Sequence, residues 1–395
     1  MSLLPLTDTQ REIQTLARSY AQRELVPHAG ARDRDSYFDR TMVTQLAELG
    51  FFGMLIPEEY DGLGLDSRSY LLALEEIAVG DASAAVLLSV HNSLPTQMLL
   101  GFGTTEQKEQ FLGPMARGEL LGAFMLSEPE AGSDAGSLRC QAVRAGDDWI
   151  LNGTKAWVSH GNEAGVLLCM ARTDSADARR GSSTGISTFI LTPDLPGFHV
   201  GKKEAKMGLR ASPTVQITLD NCRVPGDRLL GAEGKGFAYA LGSLDQGRLG
   251  IAAQAIGIAR AALEAATRYA AERKQFGKPI VEFQAIQFKL ADMATQITAA
   301  RTLLHAAAAA KDAGEKITCF SSMAKLFASE TAMSVTTQAV QIFGGYGYVT
   351  DYPVERYFRD AKVTEIYEGT SEIQRMVIAR EVLVAAAAAD GSLPD

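Results

Sequence analysis

The segment QIFGGYGYVTDYPVERYFRDAKVTEIYEGTSEIQR runs from Gln341 to Arg375 and places one carboxylate, Glu368, directly ahead of a helix. Ser371 followed three residues later by Gln374 is a capping-box pattern. Ile373, Met376, Val377 and Ile378 supply the apolar stripe behind it. Glu368 is therefore expected on a short turn with Gly369 beside it, where backbone can approach a ligand closely. A general base that must meet a substrate carbon at a fixed distance needs such a mounting.

The chain around this segment changes texture twice. From Gly236 onward it reads as helical. No proline lies between Pro279 and Pro353, Ala299–Ala310 is rich in the strongest helix former, and Gly314 suits a helix stop. The middle of the chain reads as strands. Asn152-Gly153 between Trp149–Leu151 and Lys155–Val158 predicts a hairpin. Gly165–Met170, Ile186–Leu191 and Val215–Leu219 are further short strands, and Asp174–Thr184 reads as a polar exposed loop. Residues 1 to about 120 are helical again, with a Thr7/Gln10 capping box, Ile13, Leu16, Ala17, Tyr20 and Ala21 at helical spacing, and a second apolar helix through Leu71, Leu72, Leu74, Ile77 and Ala78. The expected class is α+β, mainly α: a helical domain over 1–120, a small β-barrel or sandwich over 121–232 and a C-terminal four-helix bundle over 233–395.

At 395 residues the chain exceeds the usual single-core size. Its 38 basic and 47 acidic residues are interspersed, which argues against nucleic-acid binding. The four cysteines form no CxxC motif or disulfide framework and read as reduced and structural. The five histidines lack metal-ligand spacing, so no metal is expected. MSLLPLTDTQ has neither a basic leader nor a long apolar run, and no membrane span is expected. No GxGxxG follows a strand, which argues against a Rossmann dinucleotide domain.

Gln341, Gly344, Gly345, Gly347, Tyr348, Asp351, Arg356 and Asp360 fill, at fixed offsets, the C-terminal signature of the acyl-CoA dehydrogenase family, which the whole chain resembles. SVHNSL (Ser89–Leu94), LDQGRLGIAAQAIG (Leu244–Gly257) and IYEGTSEIQR (Ile366–Arg375) are most similar to its short-chain, butyryl-CoA-type and short-branched-chain members. The resemblance implies FAD as cofactor. The segment Phe124, Met125, Leu126, Ser127 through Gly132 and Ser133 would line the flavin, with Ser127 bonding the ring and Ser133 the CoA arm. Met125 stands where the family usually has a small residue. Trp157 would cover one flavin face and Ser159 would bond the ring near N5, with Val158 between them a further cofactor contact, although a strand tryptophan is more often core. Arg273 and Phe276, with Gln284, would reach the dinucleotide of a neighbouring subunit, for which a planar guanidinium is suited, and Gln341, Gly344 and Gly345 are further implied cofactor contacts. Without the resemblance, Arg273 reads as a helix-end residue beside a turn. Thr370, Ser371 and Glu372 complete the cofactor contacts.

Asp245, Gln246, Gly247 and Arg248, which open a long helix, would hold substrate with Gly369; taken alone, Asp245 and Arg248 are a surface pair at i, i+3. Some branches of the family carry the catalytic carboxylate at the position of Gly247, which leaves Glu368 to the role here. It would remove the α-proton of an acyl-CoA while the β-hydride passes to flavin N5, with the Glu368 N–H and a ribityl hydroxyl polarising the thioester carbonyl. The helix N-terminus favours an ionised Glu368 by about 0.3–1 kcal/mol. Burial beside an acyl chain can raise a carboxyl by roughly 3–5 pH units and should prevail.

The implied product is a trans-2-enoyl-CoA, from short- to medium-chain substrates. The implied partner is electron-transferring flavoprotein, met near Trp157. The implied assembly is a homotetramer, a dimer of dimers, in the bacterial cytoplasm, or the mitochondrial matrix for a mature eukaryotic form. Alternatives are an acyl-CoA oxidase using oxygen, whose extra C-terminal domain is missing, a nitroalkane-oxidase-like enzyme, which would use Asp as base, and a non-catalytic CoA-binding helical protein.

Overall fold

The computed structural model describes residues 5–174 and 184–387. The loop expected over Asp174–Thr184 therefore lies, but for its two ends, outside the described residues. Seven helices come first: α1 (Asp8–Tyr20), α2 (Val26–Asp35), α3 (Arg40–Glu48), α4 (Ser67–Gly80), α5 (Ala82–Ser93), α6 (Pro95–Phe102) and α7 (Thr105–Ala116). The capping box that starts α1 is present: Gln10 N donates to Thr7 Oγ1 and Thr7 N to Gln10 Oε1, each at 3.2 Å. Nearly every residue of α4 and α5 is buried, and the charges this takes inside are paired: Glu75 and Glu76 meet Arg260, with Arg301 on Glu75 and Arg18 on Glu76.

Eight strands follow: β1 (Gly122–Met125), β2 (Gln141–Ala145), β3 (Asp148–Ser159), β4 (Val166–Arg172), β5 (Ile186–Leu191), β6 (Phe198–Lys203), β7 (Thr214–Val224) and β8 (Leu229–Leu230). They form one sheet in the order β6-β7-β3-β2-β4-β5-β8, with β1 beside β4. A single residue pair, Gln141 with Arg172, joins β2 to β4. The two halves fold about this hinge and enclose a shared core of Trp149, Leu151, Cys169, Phe189, Val215 and Ile217. The outer face of β4 and β5 packs on α6 and α7 through Leu168, Met170, Ile190, Leu99 and Leu112. Those two strands are thus buried on both faces and read as continuous apolar runs, whereas β7 alternates.

The hairpin expected at Asn152-Gly153 is not there. β3 runs straight through it, and the reversal lies at Gly146-Asp147, where Ala145 pairs with Asp148. Gly153 serves a close approach instead: a Cβ there would lie 2.8 Å from the Cys140 Cα, and the β3–β7 register slips at this point. Asn152 Oδ1 bridges the slip by accepting from Asn221 N at 2.8 Å. An Asn-Gly pair serves a bulge as readily as a turn.

The rest is helical: α8 (Gly236–Glu272), a small β9–β10 ribbon (Lys274–Gln275 and Lys278–Pro279), α9 (Gln284–Asp312), α10 (Thr318–Phe343), α11 (Val354–Lys362) and α12 (Ser371–Ala387). α8 is long and apolar enough to cross a membrane, but 83% of its most apolar stretch is buried inside the protein, so it is a core helix. It begins at Gly236, so Leu244–Arg248 sits inside it and does not open it. α8, α9 and α10 share one core with the N-terminal helices. The apolar stripe of α12 behaves otherwise: Met376, Leu383 and Val384 are exposed, and only Ser371 and Gln374 of this helix are buried.

Candidate active site

Glu368 adopts φ 52°, a left-handed conformation, with Gly369 at φ 94° after it. The left-handed region costs a residue with a side chain about 1–2 kcal/mol. The turn is held from two sides. Gln374 Nε2 donates to the Glu368 carbonyl at 3.1 Å and to the Gly369 carbonyl at 2.9 Å. Lys325 Nζ, from α10, donates to the same Gly369 carbonyl at 2.7 Å. The cap of α12 is Thr370, whose Oγ1 accepts from Ile373 N at 3.3 Å, and not the expected Ser371. Adjacent Thr and Ser are equivalent capping residues in sequence; the fold chooses the first. Ser371 becomes the first helical residue, its buried hydroxyl without a partner among the described residues. Gln374 reaches the turn carbonyls and not a cap N–H.

Both carboxylate oxygens of Glu368 are buried and find no hydrogen-bond partner among the described residues. Burial pushes this carboxyl up to about 7, against the opposing pull of Lys325 and Arg248. The rise expected for a substrate complex is therefore already built into the fold. Gly247 on α8 makes room for it: a Cβ there would lie 2.0 Å from Glu368 Oε2 and 3.1 Å from Leu94 Cδ2. At Gly250 a Cβ would meet Ser89 Oγ at 2.4 Å and Tyr70 Oη at 3.1 Å, two buried hydroxyls packed against α8 one turn from Gly247.

The Asp245–Arg248 pair is not on the surface. Arg248 is buried, and its Nη1 donates to Asp245 Oδ1 at 2.7 Å. Asp245 also accepts from Thr318 Oγ1 at 2.7 Å and Ser321 Oγ at 3.2 Å. Gln246 buries an amide with neither end bonded among the described residues. Tyr367, next to Glu368, donates its hydroxyl to Gln254 Oε1, and Gln254 Nε2 donates to the Ala82 carbonyl at 2.9 Å. Glu368, Gly247 and Arg248 thus come together as the sequence implied, with Tyr70, Ser89, Leu94 and Lys325 around them.

A second cluster surrounds Trp157. This indole is 63% exposed at φ 61°, where the β3–β7 register slips again between Lys155 and Val158. Ala156 N donates to the Ser127 carbonyl at 2.9 Å, bringing the Ser127 loop alongside. Beneath it Lys155, fully buried, donates to the Leu126 carbonyl at 3.1 Å and to Glu128 Oε1 at 2.8 Å. The side chains of Met125, Leu126 and Val158 are buried in apolar cores, leaving only their backbones to meet a ligand. Phe124, Ser127 and Ser159 are half-buried; Gly132 and Ser133 are exposed.

A third feature is an open cleft of about 940 Å³ lined by Tyr269, Arg273, Phe343, Gly344, Gly345 and Tyr346, with the Arg273 guanidinium 5.3 Å from the Tyr346 ring centre. Phe276 stands 94% exposed at φ 52°, and Gln284 and Gln341 are exposed outside this lining. An indole turned outward on a slipped strand, flanked by two serines, fits a planar heteroaromatic ring with a hydrogen-bonding edge. A glycine-floored cleft with a guanidinium fits a diphosphate.

Sequence reasoning assigned no role to Lys325, Gln254, Tyr367, Tyr70 or the Lys155–Glu128 pair. The available signal was a lone polar residue inside an apolar helix: Lys325 between Ala324 and Leu326, and Gln254 between Ala253 and Ala255. Such a group is almost never buried without a partner.

Comparison with known proteins agrees with this layout. Residues 7–119, 123–222 and 234–383 match the N-terminal, middle and C-terminal domains of acyl-CoA dehydrogenases. The chain is 48% identical over 378 residues to the short-chain specific acyl-CoA dehydrogenase of rat mitochondria, covering 96% of this chain and 91% of that protein. It is 46% identical to an acyl-CoA dehydrogenase of Bacillus subtilis, covering 96% and 99%. Its fold superposes on butyryl-CoA dehydrogenase from Megasphaera elsdenii with a TM-score of 0.93 at 45% identity, over 96% of this chain and 99% of that one.

Proposed function

The chain belongs to the acyl-CoA dehydrogenase family of flavin-dependent oxidoreductases, and we propose that it desaturates short- to medium-chain acyl-CoA thioesters to trans-2-enoyl-CoA with Glu368 as base. The observation that carries this is the Glu368 carboxylate, buried, unpartnered and raised to about 7 by burial. A carboxylate so placed is a stronger base than a solvated glutamate yet still ionises near neutral pH. Gly247 leaves the space it occupies, and the clamp from Gln374 and Lys325 fixes its backbone. The Glu368 N–H donates to no other described residue and is free to polarise a thioester carbonyl.

FAD, when bound, supplies the acceptor for the β-hydride. The residues proposed to hold it are Phe124–Ser127, Gly132, Ser133, Trp157–Ser159 and Thr370–Glu372, with Arg273, Phe276, Gln284, Gln341, Gly344 and Gly345 serving the dinucleotide of a neighbouring subunit. Exposed apolar side chains on α12, the exposed Phe276 and the shallow groove along α9 at Ala294, Thr298, Thr302 and Ala306 support an assembly that covers them, proposed as a homotetramer. Asp245, Gln246, Gly247, Arg248, Gly369 and Ser133 are proposed as acyl-CoA contacts. Tyr70, Ser89 and Leu94 crowd the pocket near Glu368, which supports a short acyl chain. Electron-transferring flavoprotein is the proposed electron acceptor, and the cytoplasm, or the matrix of a mitochondrion, the proposed site of action.

The test is anaerobic mixing with acyl-CoAs from C4 to C16, plus isobutyryl- and 2-methylbutyryl-CoA, followed by flavin bleaching. Rapid bleaching with an optimum at short chains is expected. A yellow protein that none of them bleaches would overturn the substrate class, and a protein that cannot be loaded with FAD would overturn the enzyme.

A further inference from the structure

Lys325 is fully buried in the first third of the apolar helix α10. Its one side-chain hydrogen bond among the described residues goes to the Gly369 carbonyl, at 2.7 Å. That carbonyl already accepts from the neutral amide of Gln374 at 2.9 Å, so satisfying it did not require a second donor. A lysine there brings something an amide does not, a positive charge, and burying that charge is unfavourable unless an anion faces it.

The groups facing Lys325 are Glu368, Arg248, Glu365 and Glu372. Glu368 itself is faced by Lys325 from α10, Arg248 from α8, Tyr70 from α4 and the adjacent Tyr367. Arg248 is engaged by Asp245 at 2.7 Å. Glu365 is paired with Lys362 at 2.6 Å, and Glu372 is exposed on the outer side of α12. The anion left for Lys325 is Glu368, whose oxygens make no ion pair or hydrogen bond of their own among the described residues.

We propose that Lys325 is the positioning residue of the proton-transfer step, its ammonium locking the Gly369 carbonyl and balancing the ionised Glu368 carboxylate across the buried pocket. This rests on the reading of Glu368 as the base. Glu368 ionised and Lys325 protonated form the resting pair. When Glu368 takes a proton from substrate it becomes neutral, and Lys325 keeps its own proton and its bond to the turn. Burial draws Lys325 down to about 8 and Glu368 up to about 7, so both charges are present together between those two values. The clamp is not itself in contact with the reacting atoms; it acts through Glu368.

The experiment is to titrate the holoenzyme and its Lys325→Met and Lys325→Gln variants. The Glu368 carboxyl is read by difference infrared spectroscopy against Glu368→Gln, and kcat and KM are read against pH with butyryl-CoA. Wild-type kcat should rise with pH as Glu368 ionises through about 7. In both variants the carboxyl titration and the acid limb of kcat should move up together, by about one pH unit. From the ionised fraction alone, kcat at pH 7 then falls about fivefold and recovers above about pH 9, with KM little changed. Lys325→Gln keeps a donor for the Gly369 carbonyl, so it separates loss of charge from loss of fold should Lys325→Met not fold. A loss of rate equal at every pH, or an unmoved carboxyl titration, would overturn the proposal. A carboxyl that shifts while Glu368→Gln retains full turnover would leave the electrostatic pair standing and overturn the base assignment instead.

Discussion

Two buried lysines stand under the two functional clusters, and they are used differently. Lys155 and Lys325 are both fully buried, and each donates to a backbone carbonyl beside a residue assigned to the site. Lys155 meets Glu128 Oε1 at 2.8 Å, and Glu128 is further bonded by Arg139 N at 2.6 Å and Cys140 N at 2.9 Å. Every charge there has a partner in place, and the result is a fixed loop carrying Ser127. Lys325 has no such partner in contact, and the carboxylate it faces has none either. A matched buried pair makes scaffold; a pair held apart leaves a carboxylate able to accept a proton.

The largest effect is expected at Glu368. Glu368→Gln keeps the shape and removes the proposed base, so turnover should fall about 10⁴-fold while flavin absorbance and acyl-CoA binding remain, measured by stopped-flow bleaching and by titration. Full activity in that variant would show that the unpaired carboxylate has no chemical role.

Next comes Lys155→Met, which strands Glu128 as a buried charge. A loss of about 3–5 kcal/mol of unfolding stability is expected in denaturant titration, with weakened FAD retention. Lys325→Met should lose far less at pH 6, because Glu368, raised to about 7, is mostly protonated there and strands no charge. Equal losses in the two variants would erase the distinction drawn between them.

Gly247→Ala comes third. The added Cβ would lie 2.0 Å from Glu368 Oε2, so the carboxylate must move. A drop of about 10²-fold in kcat is expected with little change in stability. Activity within twofold of wild type would show that the carboxylate has more freedom than its packing indicates.

The smallest effect concerns the cap. Thr370→Ala should cost about 1 kcal/mol of stability, and Ser371→Ala close to nothing, in paired thermal melts. The reverse order would return the cap to Ser371.

The turn that carries Glu368 could be read from local spacing, whereas the roles expected of Arg273, Asp245 and Arg248 came from the family resemblance and not from their spacing. The Glu368-Gly369 turn ahead of a helix, the glycines of Gly344–Gly347 and the Leu244–Arg248 run each lie within a few residues. The three-part division into helices, strands and helices follows from hydrophobic period alone. Misreadings arose where one sequence pattern has two structural uses. Asn152-Gly153 serves a bulge against Cys140, with the hairpin at Gly146-Asp147 instead. Of the α12 stripe, Met376 stands exposed while Ile373, Val377 and Ile378 are half-buried.

The sequence by itself determined that Glu368 sits on a turn before a helix, that Gly247 carries no side chain, and that the chain alternates helical and strand textures, since each of these is set by residues adjacent in the chain. Tertiary structure alone decided that α8 and α12 bring Gly247 against Glu368, that α10 delivers a buried ammonium to the Gly369 carbonyl, and that Trp157 faces outward while Trp149 is buried. The physical reason is that burial and charge balance are properties of groups distant in sequence. Glu368 becomes a carboxyl poised near neutrality through its burial beside Lys325 of α10 and Arg248 of α8, and no local pattern encodes that burial.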